Sequence, residues 1–255
     1  MSLGDHFREL RARVMRSTLY LVVATIVALF FYDQLFQLIF EPYQQAARIL
    51  GAKTSTKAVI SGVGSPLLLQ LKLCGIAAIV ATSPLWLHEL WGFIVPGLHP
   101  KERRWTRVFA LTAGPLFIAG VAVGYYVLPK GIATLIGFTP GGLTQLTEFS
   151  EFFSFITRML LVFGVAFEIP LFVVLLNLAG VVSGKTLGRY RPWIIVGTFV
   201  FAAVATPSTD PFSMLMLAIP MLVLILISEV IARLIDRRRG RAAADEWDDD
   251  VASPL

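Results

Sequence analysis

Charged residues are scarce in this chain. They make up 15% of its 255 residues, whereas 56% are hydrophobic; soluble domains average about 25% charged residues. The mean hydropathy is +0.74, so much of the surface needs lipid as its solvent. The composition excludes an ordinary soluble domain and predicts a membrane protein. The net charge of +5 does not predict a nucleic-acid partner, because the basic residues are divided among separate loops.

Cysteine and histidine are also rare. Cys74 is the only cysteine, and the three histidines are His6, His88 and His99. One cysteine excludes a disulfide framework within the chain, and the sequence contains no set of metal ligands. We predict that Cys74 is a small packing residue.

Catalytic motifs are missing as well. The chain contains no Gly-x-Ser-x-Gly elbow, no HExxH helix and no phosphate-binding loop. An intramembrane protease would need a Ser–His pair or two aspartates at depth, and neither occurs. We predict that the protein is not an enzyme and holds no cofactor or metal. Any energy it uses must then come from the membrane potential or a proton gradient.

Long apolar runs are abundant, and they predict an all-α fold with six transmembrane helices. The predicted bounds are Val14–Tyr32, Pro66–Val95, Val108–Leu128, Phe152–Ala179, Trp193–Ala205 and Phe212–Ile227. The first run exceeds the roughly 7–15 residues of a signal-peptide core, so we expect it to remain as a helix. The last two cover only about 20 and 24 Å, less than the roughly 30 Å of the hydrocarbon core. Helices 5 and 6 are therefore predicted to be short. Two alternatives stay open: helix 6 continues as an interfacial helix to Leu234, or both helices extend beyond these bounds.

The distribution of lysine and arginine predicts the topology. Sixteen of these residues fall in segments on one side and four on the other, which indicates that both termini are cytoplasmic. Residues 1–235 are predicted to form one transmembrane domain, and residues 236–255 a charged, disordered cytoplasmic tail.

Local signals predict several details between the helices. Pro42 is expected to end the continuation of helix 1, and Pro84 to kink helix 2. Residues 51–65, rich in Gly, Ser, Thr and Lys, are expected to form an exposed loop. Glu89 is interpreted as an interface residue.

Three acids have unusual positions. Glu9 precedes Arg13 by one helical turn, which is typical of a solvated ion pair. Glu102 lies among basic residues in the first inner loop, where it neutralises local charge or binds a cation. Glu168 falls in the middle of helix 4. A carboxylate is unfavourable at that depth in the membrane unless it is protonated, paired or facing a water-filled cavity. Thr206 and Ser213 are candidate hydrogen-bond partners for it.

Several motifs in fixed order resemble one known family. They are HFRELRAR, FEPY, SPLWLHELWGFIVPGLHPKERR, GYYVLP, FGVAFEIP, RPWIIVGTFVFAAVATPSTDPFS and AIPM. Together, over about residues 5–234, they resemble TatC, the polytopic receptor subunit of the twin-arginine protein translocase. The resemblance implies a concave, glove-like arrangement of the six helices in the cytoplasmic membrane.

The resemblance also implies roles for particular residues. Glu9, Arg11 and Glu102 match positions that bind signal peptides carrying consecutive arginines. Glu168 matches an intramembrane acid that helps to position single-span subunits of the TatA and TatB type, and Thr206 and Ser213 match polar positions near that surface. Met214 departs from the pattern, because some relatives carry Gln there.

The function that follows is the export of folded proteins. Signal peptides would dock on the inner face, single-span subunits would assemble under the proton-motive force, and cargo would cross where the membrane is weakened. The receptor is expected to be homo-oligomeric and to contact membrane lipid, with no nucleic acid. The rival interpretations are a proton-coupled transporter or channel that uses Glu168, and an intramembrane enzyme.

Overall fold

The computed structural model describes residues 3–51, 55–98, 103–140, 144–206 and 211–245, which form ten helices and two short strands. In chain order the helices are α1 (Leu3–Phe30), α2 (Tyr32–Leu50), α3 (Ser65–Ala81), α4 (Ser83–Leu98), α5 (Arg103–Gly137), α6 (Phe149–Ala166), α7 (Ile169–Leu178), α8 (Gly184–Arg189), α9 (Arg191–Ala205) and α10 (Pro211–Asp245). The strands are β1 (Ser55–Val59) and β2 (Thr144–Glu148).

The expected polytopic helical membrane fold is confirmed. By length and composition, four segments of the described chain can cross a membrane. α3 and α4, which are bent by 58° relative to each other, make a fifth if the pair is one broken span. The four are His6–Phe30, Leu111–Gly137, Phe149–Leu178 and Pro211–Arg238. α9 is apolar but has only 15 residues, as predicted for helix 5. The total of six spans stays a prediction.

Helix 6 is longer than its predicted bounds, because α10 has 35 residues and continues to Asp245, past both Ile227 and the alternative end at Leu234. Beyond Ile227, the buried Glu229 is paired with Arg191 and Arg233 at 2.8 and 2.6 Å, which stabilises this carboxylate within the helix. α10 also passes the predicted domain end at residue 235, while residues 246–255 lie outside the described part. The division into a domain and a tail remains a prediction.

The predicted kink in helix 2 is confirmed, and Pro84 explains it. Proline has no N–H to donate to the carbonyl four residues earlier, and its ring clashes with that carbonyl. The helix breaks at Thr82, between α3 and α4. The hydroxyl of Ser83 donates to the Val80 carbonyl at 2.8 Å, and the indole of Trp86 donates to the Ile79 carbonyl at 2.9 Å. Side chains therefore replace the hydrogen bonds lost at the bend.

The prediction for Pro42 is wrong. The chain breaks at Phe31, and α2 continues through Pro42, which is buried inside it. Pro42 leaves the Leu38 carbonyl without its helical donor. The hydroxyl of Tyr125 on α5 donates to that carbonyl at 2.8 Å. A tertiary contact thus lets the amphipathic helix α2 continue past a proline.

The segment predicted as an exposed loop contains a strand. β1 pairs in parallel with β2, with Ser55 opposite Thr144 and Val59 opposite Glu148. The hydroxyl of Ser61 donates to Glu148 Oε1 at 2.8 Å. The pairing joins the segment between α2 and α3 to the segment between α5 and α6, and nothing in the local composition of either one indicates it.

Phenylalanines of α6 form the centre of the main core, and glycines of α5 allow the two helices to approach closely. Phe153, Ile156 and Phe163 are almost fully buried. A Cβ at Gly120 would lie 2.5 Å from the Phe163 carbonyl oxygen and 2.9 Å from the Phe167 side chain. Small residues at such contacts let helices associate in lipid, where the hydrophobic effect does not drive association.

This contact predicts that Gly120→Ala destabilises the fold, whereas Gly197→Ala on α9 does not. Both changes raise helix propensity by up to about 1 kcal/mol, but a Cβ at Gly197 meets nothing within 4 Å. Overpacking against backbone typically costs about 1–3 kcal/mol. We expect a lower apparent midpoint of thermal unfolding in detergent for Gly120→Ala alone. Equal midpoints for the two variants would contradict this packing.

Candidate functional site

The first polar cluster lies near the start of α1, where Glu9 is paired with Arg13. Arg13 Nη2 and Nε donate to the same oxygen, Glu9 Oε1, at 2.7 and 3.0 Å. The predicted pair one turn apart is therefore confirmed. The Glu9 side chain is still 35% exposed. Its carboxylate can accept further donors from solvent or from a ligand.

Arg13 also reaches a second acid, Glu89, on α4. Arg13 Nη1 lies 3.1 Å from Glu89 Oε2 and 3.3 Å from the Glu89 carbonyl oxygen. Arg16 Nη2 lies 3.1 Å from the same carboxylate oxygen. The Glu89 side chain is only 8% exposed, and a buried carboxylate requires such partners. Two arginines of α1 and one acid of α4 therefore hold the two helices together.

The backbone of α4 is shaped to receive Arg13. A Cβ at Gly92, one turn after Glu89, would lie 2.6 Å from Arg13 Nη1. Glycine at this position therefore leaves the space that the guanidinium fills. Close by, His6 stacks on Phe93 with ring centroids 4.4 Å apart. The start of α1 thus lies against the second half of α4.

The other two predicted recognition residues differ in how they are placed. Arg11 is exposed on α1. It is two residues from both Glu9 and Arg13, so its side chain lies on the opposite face of the helix, about 200° around the axis. Glu102 lies outside the described residues. The described chain ends α4 at Leu98 and begins α5 at Arg103, the residue directly after Glu102.

The intramembrane acid lies at a break in the fourth apolar segment. α6 ends at Ala166 and α7 begins at Ile169, with Pro170 near its start. Glu168 lies in the intervening turn, where Trp91 Nε1 donates to its Oε2 at 3.2 Å. Its other oxygen, Oε1, is buried without a hydrogen-bond partner among the described residues. One acceptor atom inside the protein thus remains available.

Thr206 directly follows the C-terminal end of α9, and Ser213 lies near the N-terminal end of α10. Both are buried. The Thr206 hydroxyl donates to the Ala202 carbonyl at 2.9 Å, within its own helix. Trp91, rather than Thr206, is the hydrogen-bond partner that the structure gives to Glu168.

Sequence reasoning missed Glu89, Gly92 and Trp91, all on one short stretch of α4. The position of Glu89 at the membrane interface stays a prediction, but the structure adds that this acid is buried between α1 and α4. Two signals could have identified it. Glu9, Arg13 and Arg16 recur at spacings of four and three residues, which places them on one face of α1. A glycine three residues after a glutamate also leaves room on the same face of α4 for a long side chain.

Comparisons with known proteins agree over nearly the whole chain. Residues 5–220 match the family model described as Sec-independent protein translocase protein (TatC). A relative of that name from Frankia casuarinae is 39% identical over 265 residues, covering 100% of this chain and 73% of the relative. One from Corynebacterium kroppenstedtii is 38% identical, covering 100% of this chain and 67% of the relative.

Solved structures give the same result. The crystal structure of a twin-arginine translocase receptor, TatC, in DDM is 29% identical to this chain, with a TM-score of 0.74. The match covers 89% of this chain and 99% of that one. A second crystal structure of a TatC receptor has a TM-score of 0.72. The chain belongs to the TatC family, a family of membrane-embedded protein-transport components that work with other Tat subunits rather than as enzymes.

Proposed function

We propose that this chain is the receptor subunit of a twin-arginine translocase. It binds the Arg-Arg signal peptides of folded proteins at the cytoplasmic face of the cytoplasmic membrane. With single-span subunits of the TatA and TatB type, it exports those proteins at the expense of the proton-motive force. The observation that carries the proposal is the partly exposed Glu9 carboxylate, which lies at the end of α1 that packs against α4. Glu102 follows the last residue of α4 by four positions in the chain.

The chemistry suits paired guanidinium groups. Carboxylates bind arginine through short, charge-assisted and often bidentate hydrogen bonds. Arg13 occupies Glu9 Oε1 but also contacts Glu89. An arginine of the signal peptide can therefore displace Arg13 from Glu9 while Arg13 keeps Glu89 as its partner. Glu102 provides the carboxylate for the second arginine. Arg11 is exposed on the opposite face of α1, so it contacts the signal peptide outside this pair of carboxylates.

Glu168 and the α9 region support the contact with single-span subunits. A charged residue at the bilayer centre costs roughly 2.5–3.5 kcal/mol, and Glu168 has one donor, Trp91, for its two oxygens. The second oxygen is buried in the single chain, so a polar group on a partner helix can reach it only when the turn between α6 and α7 opens. α9 presents the exposed side chains of Trp193, Val200 and Val204, and the buried Thr206 and Ser213 mark the end of this surface. Several receptor copies are expected to assemble through such faces.

The receptor proposal predicts that Glu9→Gln and Glu102→Gln each weaken binding of an Arg-Arg signal peptide to the purified chain. Hydrogen bonds between charged groups contribute about 1.5–3 kcal/mol, so the Kd should rise about tenfold or more. Fluorescence anisotropy of a labelled peptide measures this, and a Lys-Lys peptide is the control ligand. Glu41→Gln is the matched control variant, because Glu41 pairs only loosely with Arg48 at 3.9 Å. Unchanged affinity in both test variants would refute the assignment.

A second prediction concerns Glu89 as the alternative partner of Arg13. Glu89→Gln leaves Glu9 as the one described carboxylate paired with Arg13, so the peptide's arginine meets stronger competition. We expect the Kd to rise about three- to tenfold, a coupling of roughly 1 kcal/mol. Removing the competitor in Glu89→Gln with Arg13→Gln should restore binding toward that of the parent. A merely structural role for Glu89 predicts no such rescue.

A third prediction separates the two surfaces by photocrosslinking. A photoreactive residue at position 102 should capture the signal peptide, and one at position 168 should capture a single-span subunit. The exposed α9 position Val204 should capture the subunit but not the peptide. Peptide crosslinks from 168 in place of 102 would show that the roles are reversed.

A further inference from the structure

A basic cleft lies between α8 and α10, away from the proposed signal-peptide surface. It encloses about 680 Å³, and its charged lining consists of Lys185, Arg189, Arg233, Arg237 and Asp236. Within the described chain, Arg233 is paired with Glu229, while Lys185, Arg189 and Arg237 make no ion pair. Three cations on two elements therefore line one cavity, and none of them is in an ion pair with a described carboxylate, including Asp236 in the same lining.

The carboxylates near the cleft already have hydrogen-bond or ion-pair partners within the protein. Asp236 Oδ1 accepts from Asn177 Nδ2 at 2.8 Å, and Asp236 Oδ2 accepts from the Gly184 backbone N–H at 2.6 Å. Glu229 is held by Arg191 and Arg233. These contacts fix α8 against α10, and a Cβ at Gly184 would lie 2.7 Å from the Arg233 backbone nitrogen. The cleft is thus built by buried contacts, and the free charges are not needed to hold it.

The cleft lies where apolar helices end. α7 ends at Leu178, α9 begins at Arg191, and the apolar segment of α10 ends at Arg238. Tyr190 and Trp193, beside α8, are 52% and 74% exposed. Exposed Tyr and Trp at the ends of spanning helices are typical of the membrane–water interface. The cleft is therefore at the level of lipid headgroups.

We propose that this cleft binds the phosphate headgroup of an anionic phospholipid. Basic pockets between spanning helices on the cytoplasmic side suit such headgroups, and arginine forms bidentate hydrogen bonds with phosphate. Lys185 and Arg189 contact the phosphate from α8, and Arg237 contacts it from α10. The lipid tails lie along the apolar faces of α9 and α10. A bound lipid thus connects the loop between α7 and α9 to the last helix.

The test uses the full chain purified in detergent and native mass spectrometry with added phosphatidylglycerol or phosphatidylcholine. The parent should retain phosphatidylglycerol in preference to phosphatidylcholine. A triple variant should lower the affinity for phosphatidylglycerol about tenfold to a hundredfold, since each charge contributes about two- to fivefold. This variant combines Lys185→Gln, Arg189→Gln and Arg237→Gln. The single variants should each show their share of that loss.

The matched control removes three cations elsewhere, through Arg48→Gln, Lys72→Gln and Lys130→Gln, and should change the affinity less than twofold. Equal losses in the two triple variants would mean diffuse charge attraction and would overturn the site. No loss in the cleft variant, or equal retention of phosphatidylcholine, would also overturn it. Displacement of the lipid by millimolar inorganic phosphate would identify a free-phosphate site instead.

Discussion

The contact between Arg13 and Glu89 is the interaction on which the arrangement at this end of the molecule depends. Glu89 is almost inaccessible to solvent, and a buried carboxylate that loses its cation is strongly destabilising. The acid therefore requires that α1 approach α4 in a register that brings both Arg13 and Arg16 to it. Gly92 makes that approach possible, because any larger residue would occupy the space of the guanidinium.

The same stretch of α4 connects two distant parts of the protein. Glu89 contacts α1, and Trp91, two residues later, donates to Glu168 at the break between α6 and α7. Residues two apart on a helix point in nearly opposite directions. A single turn of α4 therefore contacts the proposed peptide-binding surface on one side and the intramembrane acid on the other. A shift of α4 would change the contacts at both places. Such a link suits a receptor in which cargo binding must alter the contact with partner subunits.

Side-chain hydrogen bonds explain how two helices tolerate a proline. A carbonyl that proline has left free needs another donor, and in a membrane-spanning segment such as α3 with α4 water is not available to provide it. Near Pro84, the side chains of Ser83 and Trp86 provide the missing donors, and near Pro42 the hydroxyl of Tyr125 does so. The outcomes differ. Local side chains accompany a bend of 58° at Pro84, whereas a donor from another helix lets α2 continue through Pro42.

Much of the fold and part of the site could be predicted from the sequence. The membrane location, the helical class, the bend at Pro84, the short α9 and the pair between Glu9 and Arg13 all depend on composition or on residues within a few turns. The pairing of β1 with β2 could not, because each strand is completed only by backbone groups of the other. The end of helix 6 was misplaced for a related reason: Glu229 appears unfavourable until Arg191 of the neighbouring helix is placed beside it.

By itself, the sequence determined that this chain resides in a membrane, that it is helical, and which loops carry its positive charge. These properties follow from the hydrophobicity and charge of residues that are close together in the chain, and they do not depend on which helices are neighbours. Only the tertiary structure decided that Glu89 is the partner of Arg13 and that Trp91 is the donor to Glu168. Those pairs are 76 and 77 residues apart in the chain. Their formation depends on which helix faces meet, because hydrogen bonds and ion pairs require atoms to lie within about 3 Å of each other.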